Sequence, residues 1–409
     1  MRNYKKEKII ILYPQKFKKF DLDRYEIEYL KKKFNVEIHD FSNLLYPNYN
    51  SSFKKNYSAD KVIKKFRSFE KWKKYIKKSK NLNKKIFILN FLEIDSLKVF
   101  RILSFIKSIN LKRMDFLNFG MPYYSHEKKL IPLYEHYKLK LKELIFRTRF
   151  LLGNLKSRIN QYLFRIISIF KDIKPEYLFV AGQKFINKKK DSYILVKGST
   201  WDYSRYLRDL KKNKKKFKIN YNYAVFLANS GPKYPSDSNM YKTKVTESVK
   251  NWYGTLNKFF DNLENKFNLK VIIATHPKAK FEKKISYLDN RIAYKDLAME
   301  LVKNCKYVIT HQSTSLSYAT IFKKPIFFIY TNETKNNPGV FKYNHFLGKL
   351  LDGKLINMNE HSKGDLKNFK LKNLKIKYNY YIKNYLTSRS DKKANYEIIT
   401  NLIKQRQFF

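Results

Sequence analysis

The sequence predicts an α/β protein built from two Rossmann-like domains, with a helical insertion in the first. Three observations predict it. The 409 residues exceed what one hydrophobic core accommodates. Short apolar runs alternate with longer stretches of helical periodicity. That alternation restarts after a charged connector, KKNKKK, at 211–216.

In chain order, the run at 9–13 (IIILY) reads as a strand, followed by a helix over 21–33 and a second strand at 36–38 (VEI). Residues 61–78 read as a Lys-rich amphipathic helix, since Val62, Phe66, Phe69, Trp72 and Ile76 recur at helical spacing. A strand at 86–89 (IFIL), a helix over 94–109 and a strand at 115–117 (DFL) continue the pattern. From about 130 to 173 it gives way to a long basic helical region, divided near Gly153-Asn154. Strands at 177–180 (YLFV) and 193–196 (YILV) close a first domain over 1–205. The second domain, 206–340, opens with a strand at 223–227 (YAVFL) and a helix over 241–267, then a strand at 269–273 (LKVII). A short helix over 295–304, a strand at 307–309 (YVI), a helix over 313–322 and a strand at 325–329 (PIFFI) complete it. Residues 341–409 form a helical tail whose last helix covers 394–404. No internal repeat is visible, and with ten Gly and ten Pro there is no low-complexity linker.

Composition narrows the function classes. At 43% hydrophobic and 17% aromatic the chain buries a sizeable core, which excludes a wholly disordered basic tail. The lone cysteine, Cys305, excludes an internal disulfide framework and any multi-cysteine metal site, and reads as a buried packing residue. The start, MRNYKKEKIIILYP, has too few apolar residues before Pro14 for a secretory core, and no run of 18 apolar residues occurs. The expectation is a cytoplasmic protein, soluble or peripheral at the inner face of the membrane. The charge of +54 invites a nucleic-acid reading. Its even spread, in a chain equally loaded with Asn, Ile, Tyr and Phe, instead fits a biased genome that uses Lys as the default surface residue. Specific nucleic-acid binding is therefore not expected, although a basic surface attracts anionic headgroups and phosphorylated substrates.

In an open α/β sheet, ligands bind beyond the carboxyl ends of the strands. Two such ends carry unusual residues. Ala274-Thr275-His276-Pro277 follows an apolar strand; the His can donate to a phosphate oxygen, and Pro277 ends the strand and fixes the turn. Thr310-His311-Gln312-Ser313-Thr314-Ser315 lies between a strand and a helix, where the hydroxyls read as a cap beside free N–H groups that suit an anion. Each alone is more often an ordinary turn or N-cap. Their joint presence in one sheet favours a nucleotide phosphate site. No GxGxxG, GxxxxGK[ST] or HExxH pattern occurs.

The stretches VIIATHPKAK (271–280) and LVKNCKYVITHQSTSLSYATIFKKPIFFIY (301–330) resemble the C-terminal nucleotide-binding domain of GT-B glycosyltransferases that build bacterial surface polysaccharides. Within that group the chain is similar to the His-Pro and Ser/Thr-motif families: bacterial sialyltransferases, capsule Kdo transferases and uncharacterised surface-carbohydrate proteins. The likeness covers 253–330, and GSTWDYSRYL (198–207) extends it weakly. It implies two domains facing a cleft, a nucleotide-sugar donor (CMP-, CDP- or UDP-linked), a glycan or lipid-linked glycan acceptor, and neither cofactor nor metal. It also implies that His276 meets the donor phosphate and that Ser313, Thr314 and Ser315 bind phosphate or ribose, with His311 a secondary candidate. The pattern ending Phe322-Lys323-Lys324-Pro325-Ile326 also resembles teichoic-acid glycerophosphotransferases, which use CDP-glycerol.

A base for the acceptor hydroxyl is expected from the first domain. Asp202 is the first candidate, and capping of the helix that carries Arg205 and Arg208 is its equally weighted alternative. Asp21 and Asp23 form an Asp-x-Asp near a strand end, for which a helix N-terminal role is favoured over metal binding. In 130–173, Arg147, Arg149, Lys156, Arg158 and Arg165 alternate with apolar residues, as in helices that lie on an anionic membrane. A helical hairpin packed on the domain is the favoured reading there. A non-enzymatic polyanion- or membrane-binding protein is the remaining function class.

Overall fold

The computed structural model describes residues 7–46, 61–82, 85–93, 96–118, 120, 122, 173–186, 193–211, 217–229, 248–277, 283–311, 313–335, 338–360 and 374–405. The insertion expected over 130–173 and the arginines that prompted the membrane reading lie outside these residues. The chain divides into two compact units, one of 1–118, 152–208 and 388–409, the other of 119–151 and 209–387. No helix among the described residues is long and apolar enough to cross a membrane.

The first unit is built on strands β1 (Lys8–Tyr13), β2 (Asn35–Asp40), β3 (Ile63–Lys65), β4 (Ile86–Asn90), β5 (Lys112–Leu117), β6 (Tyr177–Ala181) and β7 (Ile194–Gly198). They form one sheet in the order β3-β2-β1-β4-β5-β6-β7, every pair parallel. Parallel strands need helices on both faces, which is why β1 and β4 are buried throughout and are apolar from Ile9 to Tyr13 and from Ile86 to Leu89. Ile9 and Ile11 pack with Ile27, Leu30, Ile399 and Ile403 on one face. Ile10 and Leu12 pack with Trp72, Ile76, Ile102 and Leu103 on the other.

The second unit repeats the plan with β8 (Tyr223–Leu227), β9 (Lys270–Thr275), β10 (Lys284–Ile285), β11 (Arg291–Lys295), β12 (Tyr307–Thr310), β13 (Ile326–Tyr330) and β14 (Lys354–Asn357). The order is β10-β11-β9-β8-β12-β13-β14, parallel except for the β10–β11 pair. The helix Val249–Phe267 is started by Ser248, whose hydroxyl accepts from Asn251 N, and buries Leu256, Phe259, Phe260 and Leu263 against Ala224, Phe226, Val271 and Ile273. The first sheet has the 3-2-1-4-5-6 order of doubly wound sheets with a seventh strand added at the β7 edge. The second has the same 3-2-1-4-5-6 order once the two-residue antiparallel strand β10 at its edge is set aside. Strand order therefore reverses between β1 and β4 and between β8 and β12, the points where such sheets bind ligands.

Several expected elements differ. The helix over 21–33 is two helices, Lys19–Arg24 and Ile27–Lys31, separated because Glu26 takes a left-handed conformation (φ 58°). The helix over 61–78 starts only at Phe69, where the Ser68 hydroxyl accepts from Lys71 N; Ile63–Lys65 pairs with β2 instead. The segment expected as a single tail is divided, because the helix Asn395–Lys404 places Ile398, Ile399 and Ile403 in the first unit's core. Close backbone approach at Gly198 holds this return. A Cβ there would sit 1.9 Å from the Phe179 ring, and the Ser388 hydroxyl accepts from Gly198 N at 2.9 Å.

Glu26 fastens the same helix. Its carboxylate, 1% exposed, accepts from the Ser204 hydroxyl (2.6 Å) and from Tyr396 N (2.7 Å), while Ser204 Oγ accepts from Asn395 N (2.7 Å). Burial pushes the Glu26 carboxyl up to about 7 from the ordinary 4.5, against the opposing hydrogen bonds and Arg208. The folded chain thus holds a proton that the unfolded chain releases. The resulting stabilisation is complete below about pH 4.5 and is lost as the pH rises through 7, on the order of 3 kcal/mol in all. Glu26→Gln keeps the shape and removes the titration. In urea unfolding at pH 5 and pH 8, the variant should gain about 3 kcal/mol on the wild type between the two. A constant difference would show that Glu26 does not titrate in this window.

Candidate functional site

Three neighbouring strands of the second unit, β9, β8 and β12, end on the same edge of the sheet. At ~4.8 Å per strand, the residues after β9 and after β12 are about 10 Å apart across β8. The β9 end carries His276 and Pro277, both half-buried, and the Thr275 hydroxyl donates to the Tyr294 carbonyl at 3.1 Å. The β8 end carries Ala228 and Asn229, with Ala228 N donating to the Ala274 carbonyl at 3.1 Å. Asn229, Trp252, Thr275 and His276 all line one cavity of about 30 Å³, room for a single water.

The β12 end carries His311, buried at 8% exposure. Asn229 Nδ2 lies 3.0 Å from its Nδ1 and 2.9 Å from its carbonyl oxygen, and the Trp252 ring packs 4.8 Å from the imidazole. Burial depresses the imidazole to about 4, so it is neutral at pH 7. His276 and His311 therefore share two neighbours, Asn229 and Trp252.

Ser313, Thr314 and Ser315 follow after Gln312, the first and last half-buried and Thr314 exposed. Their expected capping role is not the one observed. The helix spans only Leu316–Ile321; Ser315 at the cap position is already in the αR region (φ −64°, ψ −5°) and makes no side-chain cap bond. An N-cap hydroxyl reaches back from an extended residue, which Ser315 is not. The turn is made by backbone instead: Leu316 N, Ser317 N and Tyr318 N donate to the carbonyls of Ser313, Thr314 and Ser315.

In the first unit, Asp202 lies in the first turn of the helix Trp201–Leu210, directly after β7. The capping alternative fails here, because the Thr200 hydroxyl accepts from Tyr203 N at 3.3 Å and takes that role. The half-buried Arg24 guanidinium is pushed up by Tyr25 first, and then by Asp202, Tyr13 and Asp21 as opposite charges. Asp202 thus shares an electrostatic environment with Arg24 and Asp21. The Asp21 carboxylate accepts from Lys18 N at 2.9 Å, the helix N-terminal role expected of it. Asp23 pairs with Arg208 at 2.8 Å and Arg205 at 3.8 Å, joining the two helices. Cys305 is buried, donates its thiol to the Val302 carbonyl, and is pushed up to about 12 by burial, which leaves it inert as a nucleophile.

Comparison with solved structures decides the architecture. Over 98% of this chain and 89% of theirs, it is similar to the wall teichoic acid polymerase TagF (12% identity, TM-score 0.51) and to its H444N form with CDPG (11%, TM-score 0.52). Over 98% of this chain and all of the other, it is similar to Phytolacca americana UGT2 complexed with UDP-2fluoro-glucose and pterostilbene (8%, TM-score 0.50). The chain has the GT-B fold. At such identities the likeness concerns the fold, and no family model and no curated protein matches the sequence.

Three contributors were missed in the sequence. Asn229 was detectable, as a polar residue just past the first strand of a Rossmann-like unit. Trp252 reads as an ordinary core position of an amphipathic helix. Arg24 falls inside what reads as one continuous helix, and nothing local links it to Asp202.

Proposed function

We propose that this protein is a glycosyltransferase that moves a sugar from a CMP-, CDP- or UDP-linked donor to a surface polysaccharide or lipid-linked glycan, of the His-Pro and Ser/Thr-motif kind. The observation that carries this reading is the alignment of His276, the Asn229–His311 pair and the Ser313–Ser315 hydroxyls along three adjacent strand ends at the order reversal of the second sheet. As the glycosidic bond breaks, charge grows on the departing nucleotide phosphate, and fixed donors placed around it lower the barrier. His276 and the Ser313–Ser315 hydroxyls supply those donors. Asp202, in the first unit, removes the proton of the acceptor hydroxyl. The chemistry needs neither metal nor cofactor, and its place is the cytoplasm or the inner face of the membrane, where the basic surface suits anionic headgroups.

A thermal-shift series with CMP, CDP, UDP, GDP and their sugar conjugates tests the reading. A ligand at 100 times its Kd adds about 2.7 kcal/mol to the folded state and raises the midpoint accordingly. A cytidine or uridine nucleotide should rank first; a flat response across the series counts against any nucleotide-dependent transferase. The second reading, transfer of glycerol phosphate from CDP-glycerol, is supported by the Phe322–Ile326 pattern and by the fold likeness to a polymerase studied with CDPG. Product mass separates the two.

A further inference from the structure

The end of β12 holds a hydrogen-bond donor for which the described residues supply no acceptor. Asn229 Nδ2 is 2.9 Å from the His311 carbonyl oxygen, and a carbonyl can only accept. The amide must therefore turn its NH2 group, not its oxygen, toward His311. The same group lies 3.0 Å from Nδ1, so Nδ1 accepts its second hydrogen and carries the lone pair. A neutral imidazole with its lone pair on Nδ1 carries its proton on Nε2. That Nε2 is buried and has no hydrogen-bond partner among the described residues. Buried donors are nearly always paired, so an unpaired one at a ligand-binding edge of the sheet points to a ligand.

We propose that His311 Nε2–H donates to a phosphate oxygen of the nucleotide held at the ends of β8, β9 and β12, with Asn229 as the positioning residue that sets the tautomer. This rests on the nucleotide-site reading above. A phosphate oxygen is an acceptor only, and so matches a group that in this tautomer is a donor only. The imidazole is neutral because it is buried against Trp252, so it recognises the oxygen by a directed hydrogen bond rather than by charge. This gives His311, a secondary candidate in the sequence, a defined tautomer and a defined donor atom.

The test uses the full chain, with CDP and inorganic pyrophosphate as probes. In ¹⁵N NMR of the wild type, the His311 ring should show a protonated Nε2 and an unprotonated Nδ1, with the Nε2 proton moving downfield on adding probe. His311→Phe removes the unmatched donor, so the unligated protein should melt at the same temperature or higher while CDP affinity falls at least tenfold. His311→Gln restores a side-chain N–H and should recover part of that affinity. Affinity for CDP in His311→Phe within twofold of wild type overturns the proposal, as does an Nδ1-protonated ring. If the wild type binds pyrophosphate with the predicted Nε2 response but binds no nucleotide, the anion donor stands and the transferase reading falls. Binding of neither probe overturns both.

Discussion

Replacing His276 with alanine is expected to abolish the nucleotide-dependent rise in melting temperature and to lower turnover by about 10²–10³-fold, the usual loss when one fixed donor to a charge-accumulating oxygen is removed. The unligated fold should be nearly unaffected. His276 is half-buried beyond the end of β9, and the strand's own apolar residues, Val271 to Ala274, hold the sheet. The variant also separates the enzyme readings from the non-enzymatic one. A protein that merely binds polyanions through its +54 charge loses affinity steeply with salt and does so equally with or without one imidazole. Heparin binding measured over a salt series, in parallel with nucleotide affinity, should leave the two proteins alike in the first assay and different in the second.

The parts of the fold legible in the sequence are those whose physics is local. Strands β1, β4, β8 and β13 are buried on both faces, so each is an unbroken apolar run bounded by polar residues. The strands that escaped notice are β3, β10, β11 and β14. β3, β10 and β14 are short and lie at sheet edges, where lysines such as Lys64, Lys65, Lys284 and Lys354 keep the open side soluble and erase the apolar signal, and β11 is bounded by Arg291 and Lys295. The Glu26 break was invisible because apolar spacing continues through it; only the left-handed backbone interrupts the helix. The last helix was found, but periodicity reports an apolar face without saying which sheet will cover it. Here Ser388 and Asn395 bind the ends of β6 and β7 and carry it back to the first unit.

The candidate site divides the same way. His276, His311 and the Ser/Thr run were legible because they sit at strand ends, where sequence position determines spatial position. The pairings were not: Asn229 is 82 residues from His311, and Arg24 meets Asp202 only through tertiary structure. The capping role shows how a local rule misleads. It assigned helix starts to Ser313–Ser315 and to Asp202, whereas backbone carbonyls and Thr200 do that work.

That reassignment makes Asp202 the sharper test of the proposed base catalysis. With Thr200 as the cap, Thr200→Ala should cost about 1 kcal/mol in stability and leave turnover unchanged. Asp202→Asn should do the reverse. An asparagine preserves size and helix geometry, and loss of a part-exposed charge next to Arg24 is worth no more than about 1 kcal/mol. If Asp202 accepts the acceptor's proton, turnover falls by about 10²–10⁴-fold while donor nucleotide affinity, set in the second unit, stays at the wild-type value. Asp202→Glu keeps a carboxylate and should recover a measurable fraction, because a displaced base is still a base. If Asp202 serves only to balance Arg24, the Asn and Glu variants will differ in melting temperature and not in rate. In that case the base lies elsewhere, and the donor site proposed in the second unit is tested independently of it by His276→Ala.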